Sequence, residues 1–138
     1  NTLRSDNPRM NARVSFATNQ PKKILLSNKE FNKNEFQFFN EDSVDVHTSS
    51  DLEEVINFYK NSDLCSILIE AGPSLVKSFI ETDMVDEIIV YTSKKILGEN
   101  GVNWFDKNKT IENYGFKLES SYKIDQDIKQ TFVRNEKK

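Results

Sequence analysis

A chain of 138 residues and 16.0 kDa with 36% hydrophobic and 30% charged side chains has the make-up of one ordinary globular domain with a sizeable core. Nineteen basic residues against 22 acidic ones give a net charge of −3 and a pI near 5.3, without the basic stripe that a nucleic-acid backbone requires. No apolar run approaches the roughly 20 residues of a membrane span, and a single cysteine and a single histidine supply neither an internal disulfide nor a Cys/His metal site, so a soluble, cytoplasmic protein that binds neither nucleic acid nor membrane is expected.

The chain opens at Asn1 without a methionine and runs at once into Thr2-Leu3-Arg4-Ser5-Asp6-Asn7-Pro8. This polar stretch reads as a functional loop, inside which the sequence is expected to have been cut. Pro21-Lys22-Lys23 then leads into Ile24-Leu25-Leu26-Ser27, a predicted buried strand whose end is a candidate ligand edge. Residues 36–39 and 44–47 read as two further short strands on either side of the acidic turn Asn40-Glu41-Asp42. Ser50 and Asp51 are capping residues followed by acids, and Leu52, Val55, Ile56 and Tyr59 recur at helical spacing, which predicts a surface helix packed by one face.

Residues 65–70 are predicted to form a buried strand that ends on the carboxylate of Glu70, with Cys65 a buried, inert thiol. Gly72 permits a tight turn, Pro73 suits a first helical position, and Leu75, Val76, Phe79 and Ile80 mark one face of a helix over 73–82. Residues 85–91 read as a strand completing a βαβ crossover. Lys94-Lys95-Ile96-Leu97-Gly98 leaves that strand for a loop that holds Gly101 and Trp104. Residues 116–124 and 128–134 around Asp125-Gln126-Asp127 predict an antiparallel hairpin, followed by a polar tail over 135–138. A parallel body with an antiparallel end implies a mixed sheet.

Each candidate for chemistry has an ordinary alternative. Gly72-Pro73-Ser74 can cradle a phosphate at a helix N-terminus or form a plain strand-to-helix turn, the commoner meaning of a single glycine. Glu70 can hold a substrate's hydroxyls or move a proton, or it can be a solvated carboxylate. Thr2, Asp6 and Arg13 offer a hydroxyl, an acid and a cation to a polar ligand, or make up a polar loop. His47 reads as a surface or strand histidine, Trp104 and Phe105 as packing, and Lys94-Lys95 as a solvated strand end.

Five stretches stand in the order and spacing of one family: Thr2 to Arg13, Lys23-Ile24-Leu25-Leu26-Ser27, Ile69-Glu70-Ala71-Gly72-Pro73-Ser74-Leu75, Met84-Val85-Asp86-Glu87-Ile88-Ile89-Val90-Tyr91, and Ile96-Leu97-Gly98. Together they resemble the reductase domain of riboflavin biosynthesis, the C-terminal half of the bifunctional pyrimidine deaminase/reductase, over nearly the whole chain. The resemblance implies a dihydrofolate-reductase-like fold: a three-layer α/β/α domain with a mixed, mostly parallel sheet and a C-terminal antiparallel hairpin. Residues 1–138 would then be a partial domain, N-terminally truncated by about 50 or more residues that include a first strand and a substrate-site lysine.

The resemblance also implies NADPH-dependent reduction of the ribosyl group of 5-amino-6-(5-phosphoribosylamino)uracil to a ribityl chain. Carried over by motif, Thr2, Asp6, Ser27, Gly72, Pro73, Ser74, Leu75, Val76, Lys77 and Ser78 would contact the cofactor. Met10 and Arg13 would face the substrate, Arg13 near its phosphate, and Glu70 would hold or help protonate the opening ribosylamine; no metal is implied. A homodimer pairing through residues 85–92 and the terminal hairpin is implied too, as is fusion to, or action with, a pyrimidine deaminase domain. Leu26 stands where the family often has an acid and Lys94 where it often has proline. Two other readings are a same-fold reductase acting on the diaminopyrimidine before deamination or on another pteridine-like compound, and a nucleotide-binding module without catalysis.

Overall fold

Helix α2 (Leu52–Lys60) starts where its acids place it. Asp51 Oδ1 accepts from the backbone N–H groups of Glu53 and Glu54 at 2.9 and 3.1 Å, and both glutamates lie in the first turn, where the helix dipole favours negative charge. The computed structural model that contains it describes residues 2–16, 19–40, 44–48, 51–106 and 108–136. Ser50, Glu41, Asp42 and the last two residues of the polar tail lie outside the described residues. The chain divides into two compact units, Asn1–Leu68 and Ile69–Lys138. Among the described residues no helix is long and apolar enough to cross a membrane.

In the first unit a short helix α1 (Thr2–Asp6) stands where a loop is expected, and Leu3 is its buried residue. Strand β1 (Lys23–Leu26) pairs in parallel with β2 (Val44–His47), in the register Lys23↔Val44 to Leu26↔His47. Both are expected strands. Residues 36–39 are not a strand; they form the 3-10 turn Gln37–Phe39 after a similar turn at Lys33–Glu35. Three aromatic residues in four positions would project from both faces of a strand. The turn instead buries Phe38 to 3% exposure and sets Phe36 and Phe39 against Phe31, with ring centroids 5.6 and 6.5 Å apart.

Helix α2 buries Val55 and Tyr59, as its spacing predicts. The Tyr59 hydroxyl donates to Asp45 Oδ2 at 2.8 Å and lies 2.7 Å from His47 Nε2, while Lys22 Nζ reaches the same Asp45 oxygen at 2.9 Å. Because the phenol's one proton goes to Asp45, its oxygen accepts from His47, so Nε2 carries the hydrogen. The hydrogen bond from Lys22, and then that from Tyr59, hold the Asp45 carboxyl below its ordinary value. Burial, reinforced by Asp45, pushes the Tyr59 phenol upward.

A carboxyl with a depressed folded pKa contributes stability above its unfolded value and loses it as pH falls through the folded one. Asp45→Asn is therefore expected to be less stable than wild type at neutral pH, with the difference shrinking below roughly pH 4. Urea midpoints measured from neutral to strongly acidic pH check this; a constant gap between the two proteins would remove the linkage.

In the second unit the chain enters helix α3 (Pro73–Glu81) through an irregular segment. Residues 65–70 are not a strand, and Cys65 is exposed rather than buried. An apolar strand requires a ladder partner, and none pairs with this run among the described residues; Leu68 is left 75% exposed. Strand β3 (Glu87–Thr92) forms near its expected position but closes no βαβ crossover. It pairs antiparallel with β5 (Asp127–Arg134), which pairs antiparallel with β4 (Phe116–Ile124).

The fold is thus mixed α/β: among the described residues β1 and β2 form a parallel pair, and a three-stranded antiparallel sheet has the order β3-β5-β4. The expected hairpin is present: Ile124 pairs with Asp127, and Asp125 turns the chain with φ of +52°, a conformation Asp tolerates. The core of the second unit is Ile80, Ile88, Ile111, Phe116 and Phe132, with Val76, Val85, Trp104 and Phe105 packed against it. Gly115, at φ +83°, makes the bend into β4 that a side chain would strain.

Candidate functional site

The first unit presents its candidate residues from the segment that follows α1. Asp6 ends the helix and is exposed; Thr2 opens it, and its side chain lies outside the described residues. Asn7 leaves the helix with φ of +42°, its N–H donating to Leu3 O at 3.2 Å, and Met10 adopts φ of +48°. Two such left-handed residues within four positions make a tightly folded loop. Met10 is half-buried and Arg13 exposed. Beside Arg13, the Gln20 amide clamps Ala12, accepting from its N–H at 2.9 Å and donating to its carbonyl at 3.3 Å. Among the described residues Asn11 Oδ1 is buried without a hydrogen-bond partner.

Ser27 follows β1, and its backbone N–H extends the pairing to His47 O at 2.9 Å. Its hydroxyl accepts from the Lys29 N–H at 3.0 Å, closing a small turn at the strand's end.

In the second unit Glu70 is exposed in the segment before α3. Gly72 is the residue at the helix's N-terminal boundary, with φ −69° and ψ 167°. Pro73 lacks an N–H, and the first intrahelical bond is Val76 N–H to Gly72 O at 3.1 Å, so the Ser74 and Leu75 N–H groups precede the helical ladder. A Cβ at Gly72 would meet no atom within 4 Å. Among the described residues the space where a Gly72 side chain would stand is therefore open, beside backbone donors at the positive end of a nine-residue helix, an arrangement that suits an anion.

Other side chains of this turn have different partners. Val76 packs on the core, and the Ser78 hydroxyl donates back to Ser74 O at 3.1 Å. Lys77 binds Asp106 at 3.0 Å, a hydrogen bond that raises the lysine's pKa and lowers that of the aspartate. Pro73 and Leu75 are half-buried, which leaves Ser74 as the exposed hydroxyl of the first turn.

Sequence reasoning missed the tethers of the opening loop. The Gln37 N–H donates to Asn7 Oδ1 at 2.8 Å, and Arg9 Nε donates to Gln37 Oε1 at 2.6 Å. Asn7-Pro8 is a turn signal in the sequence, but nothing local points to a partner 30 residues away.

The family profile described as the RibD C-terminal domain matches residues 1–130. The chain belongs to the RibD C-terminal domain family. The riboflavin biosynthesis protein RibD of Buchnera aphidicola subsp. Baizongia pistaciae is 35% identical over 92 residues, which cover 62% of this chain and 24% of that protein. Among solved structures, form 2 of Acinetobacter baumannii RibD aligns with a TM-score of 0.80 at 20% identity, covering 97% of this chain and 45% of that one. A second, from Thermotoga maritima, is named a diaminohydroxyphosphoribosylaminopyrimidine deaminase/5-amino-6-(5-phosphoribosylamino)uracil reductase. It aligns with a TM-score of 0.77 at 19% identity over 97% of this chain and 43% of that one. At these identities the likeness is one of fold, and it bears out the α/β, dihydrofolate-reductase-like expectation. The RibD domain chain spans less than half the length of the relatives it matches.

Proposed function

We propose that this domain carries out the NADPH-dependent reduction of the ribosyl group of 5-amino-6-(5-phosphoribosylamino)uracil to a ribityl chain, a step of riboflavin biosynthesis, in the cytoplasm. The observation that carries this reading is an exposed carboxylate, Glu70, two residues ahead of an open helix N-terminus at Gly72, in a chain of the RibD C-terminal domain family. It acts as a homodimer, fused to or working with a pyrimidine deaminase domain. In support of pairing, β3 is an edge strand of the described antiparallel sheet and exposes Ile89 and Tyr91.

The turn from Gly72 to Ser78 fits a phosphate-bearing cofactor: its first N–H groups are free of helical bonds, and among the described residues no atom lies within 4 Å of where a Gly72 Cβ would be. Ser74 adds a hydroxyl, and Pro73, Leu75, Val76 and Lys77 shape the turn. In the first unit, Thr2, Asp6 and Ser27 are the residues we assign to cofactor contact. When bound, NADPH supplies a hydride for the ribosyl carbon. Glu70 holds the ribosylamine and assists proton movement as the sugar ring opens. Arg13 offers its guanidinium to the substrate phosphate, and Met10 gives an apolar surface beside it.

Purified protein is expected to oxidise NADPH only in the presence of the deaminated phosphoribosylaminopyrimidine, and Asp6→Asn to raise the KM for NADPH by about tenfold, the worth of one charge-assisted hydrogen bond. Initial rates against each compound decide the reading. Oxidation with the diaminopyrimidine alone would reassign the substrate, and NADPH binding without oxidation of either compound would leave a binding module.

A further inference from the structure

Gln37 holds the opening loop at two points. Its backbone N–H donates to Asn7 Oδ1 at 2.8 Å, and its side-chain Oε1 accepts from Arg9 Nε at 2.6 Å. The second bond is charge-assisted and the shorter of the two. Gln37 is itself anchored, because it starts the 3-10 turn whose Phe38 is buried and whose Phe39 packs against Phe31 and Phe38. A rigid aromatic turn thus grips both residues that flank Pro8.

The loop needs such a grip. Asn7 and Met10 both hold left-handed backbone, which L side chains rarely adopt and which local propensity does not maintain. Gln20 fixes the far side of the loop at Ala12. Met10 follows directly on the Arg9 tether, and Arg13 directly on Ala12. We propose that Gln37 is a positioning residue: by tying down Asn7 and Arg9 it fixes the backbone from which Met10 and Arg13 meet the phosphorylated substrate. This rests on the substrate roles given to Met10 and Arg13 above. A side chain that places a binding loop changes affinity without touching the ligand.

Three variants separate the tether from its consequences. Gln37→Ala deletes the acceptor for Arg9 and keeps the N–H; Gln37→Glu keeps an acceptor and adds a charge opposite to that of Arg9. Asn7→Gly keeps left-handed freedom and deletes the other acceptor. Limited trypsin digestion of the native protein reads the loop directly, because Arg13 lies in it and is exposed. Cleavage after Arg13 is expected to be about tenfold faster in Gln37→Ala and Asn7→Gly, the size of one such hydrogen bond, and unchanged in Gln37→Glu. Cleavage after the exposed Lys95 in the second unit should match wild type, which excludes general unfolding.

Steady-state rates on the same proteins should show the substrate KM raised by about tenfold with kcat nearly constant in the two loosened variants, and wild-type values in Gln37→Glu. Equal Arg13 cleavage in wild type and Gln37→Ala overturns the tether. Faster cleavage with an unchanged KM in an active enzyme overturns the positioning role and leaves a structural contact. Wild-type protein that never oxidises NADPH with the substrate fails the functional reading instead, and the cleavage rates still decide the tether.

Discussion

Glu70→Gln is expected to lower kcat/KM for the phosphoribosylaminopyrimidine by about 10²–10³-fold and to leave NADPH affinity unchanged. The substitution keeps the size of the side chain and one carbonyl acceptor but cannot carry a proton. Glu70 is exposed in an irregular segment, so the amide costs little packing, and stability should stay within about 0.5 kcal/mol of wild type. Loss of turnover then reports chemistry rather than unfolding. The check is threefold: initial rates of NADPH oxidation, titration of NADPH by its fluorescence, and a melting curve. A kcat/KM within about threefold of wild type would remove Glu70 from the proton path, since general acid–base groups contribute far more than that. Glu70→Asp, which keeps the acid and shortens its reach, should fall between the two.

Elements that depend on local signals were legible in the sequence. Helix α2 announces itself through Asp51 and the spacing of Val55 and Tyr59, α3 through Pro73, and the β4–β5 hairpin through alternation around Asp125 and Gln126. What depends on a distant partner was less so, the parallel pair of β1 and β2 apart. Residues 65–70 have the composition of a strand, yet composition cannot supply a ladder partner, and β3 takes its direction from β5, some 40 residues further on.

The candidate site divides in the same way. Glu70 and the Gly72–Ser74 turn are contiguous, so their arrangement at a helix start could be read from the sequence. Nothing near Gln37 in the sequence points to Asn7 and Arg9, and nothing near Ser27 shows that its hydroxyl is engaged with the Lys29 N–H. Side-chain hydrogen bonds to backbone groups leave little trace in residue patterns.

The largest expected loss of stability is at Phe116, where β4 begins in the core of the second unit. Its side chain is 1% exposed, and the Arg134 guanidinium lies 4.3 Å from its ring centre. Phe116→Ala is expected to cost about 3–5 kcal/mol, because the transfer energy of the ring is lost and a cavity remains. Arg134 does more than stack: Nε donates to Val85 O at 2.6 Å, one terminal nitrogen to Asp83 Oδ1 at 2.8 Å and the other to Ile80 O at 3.4 Å. It thereby ties the end of α3 and the lead-in to β3 to the last residue of β5. Arg134→Ala should cost about 2–3 kcal/mol, since it leaves carbonyls of partly buried chain without donors. Arg134→Lys should recover less than half of that, because one ammonium can neither span three acceptors nor lie flat on a ring. Denaturant unfolding of the two alanine variants and of the double variant tests the stack itself. Coupling of about 0.5–2 kcal/mol is expected for residues in such contact, whereas strictly additive losses would mean that the guanidinium acts through its hydrogen bonds alone.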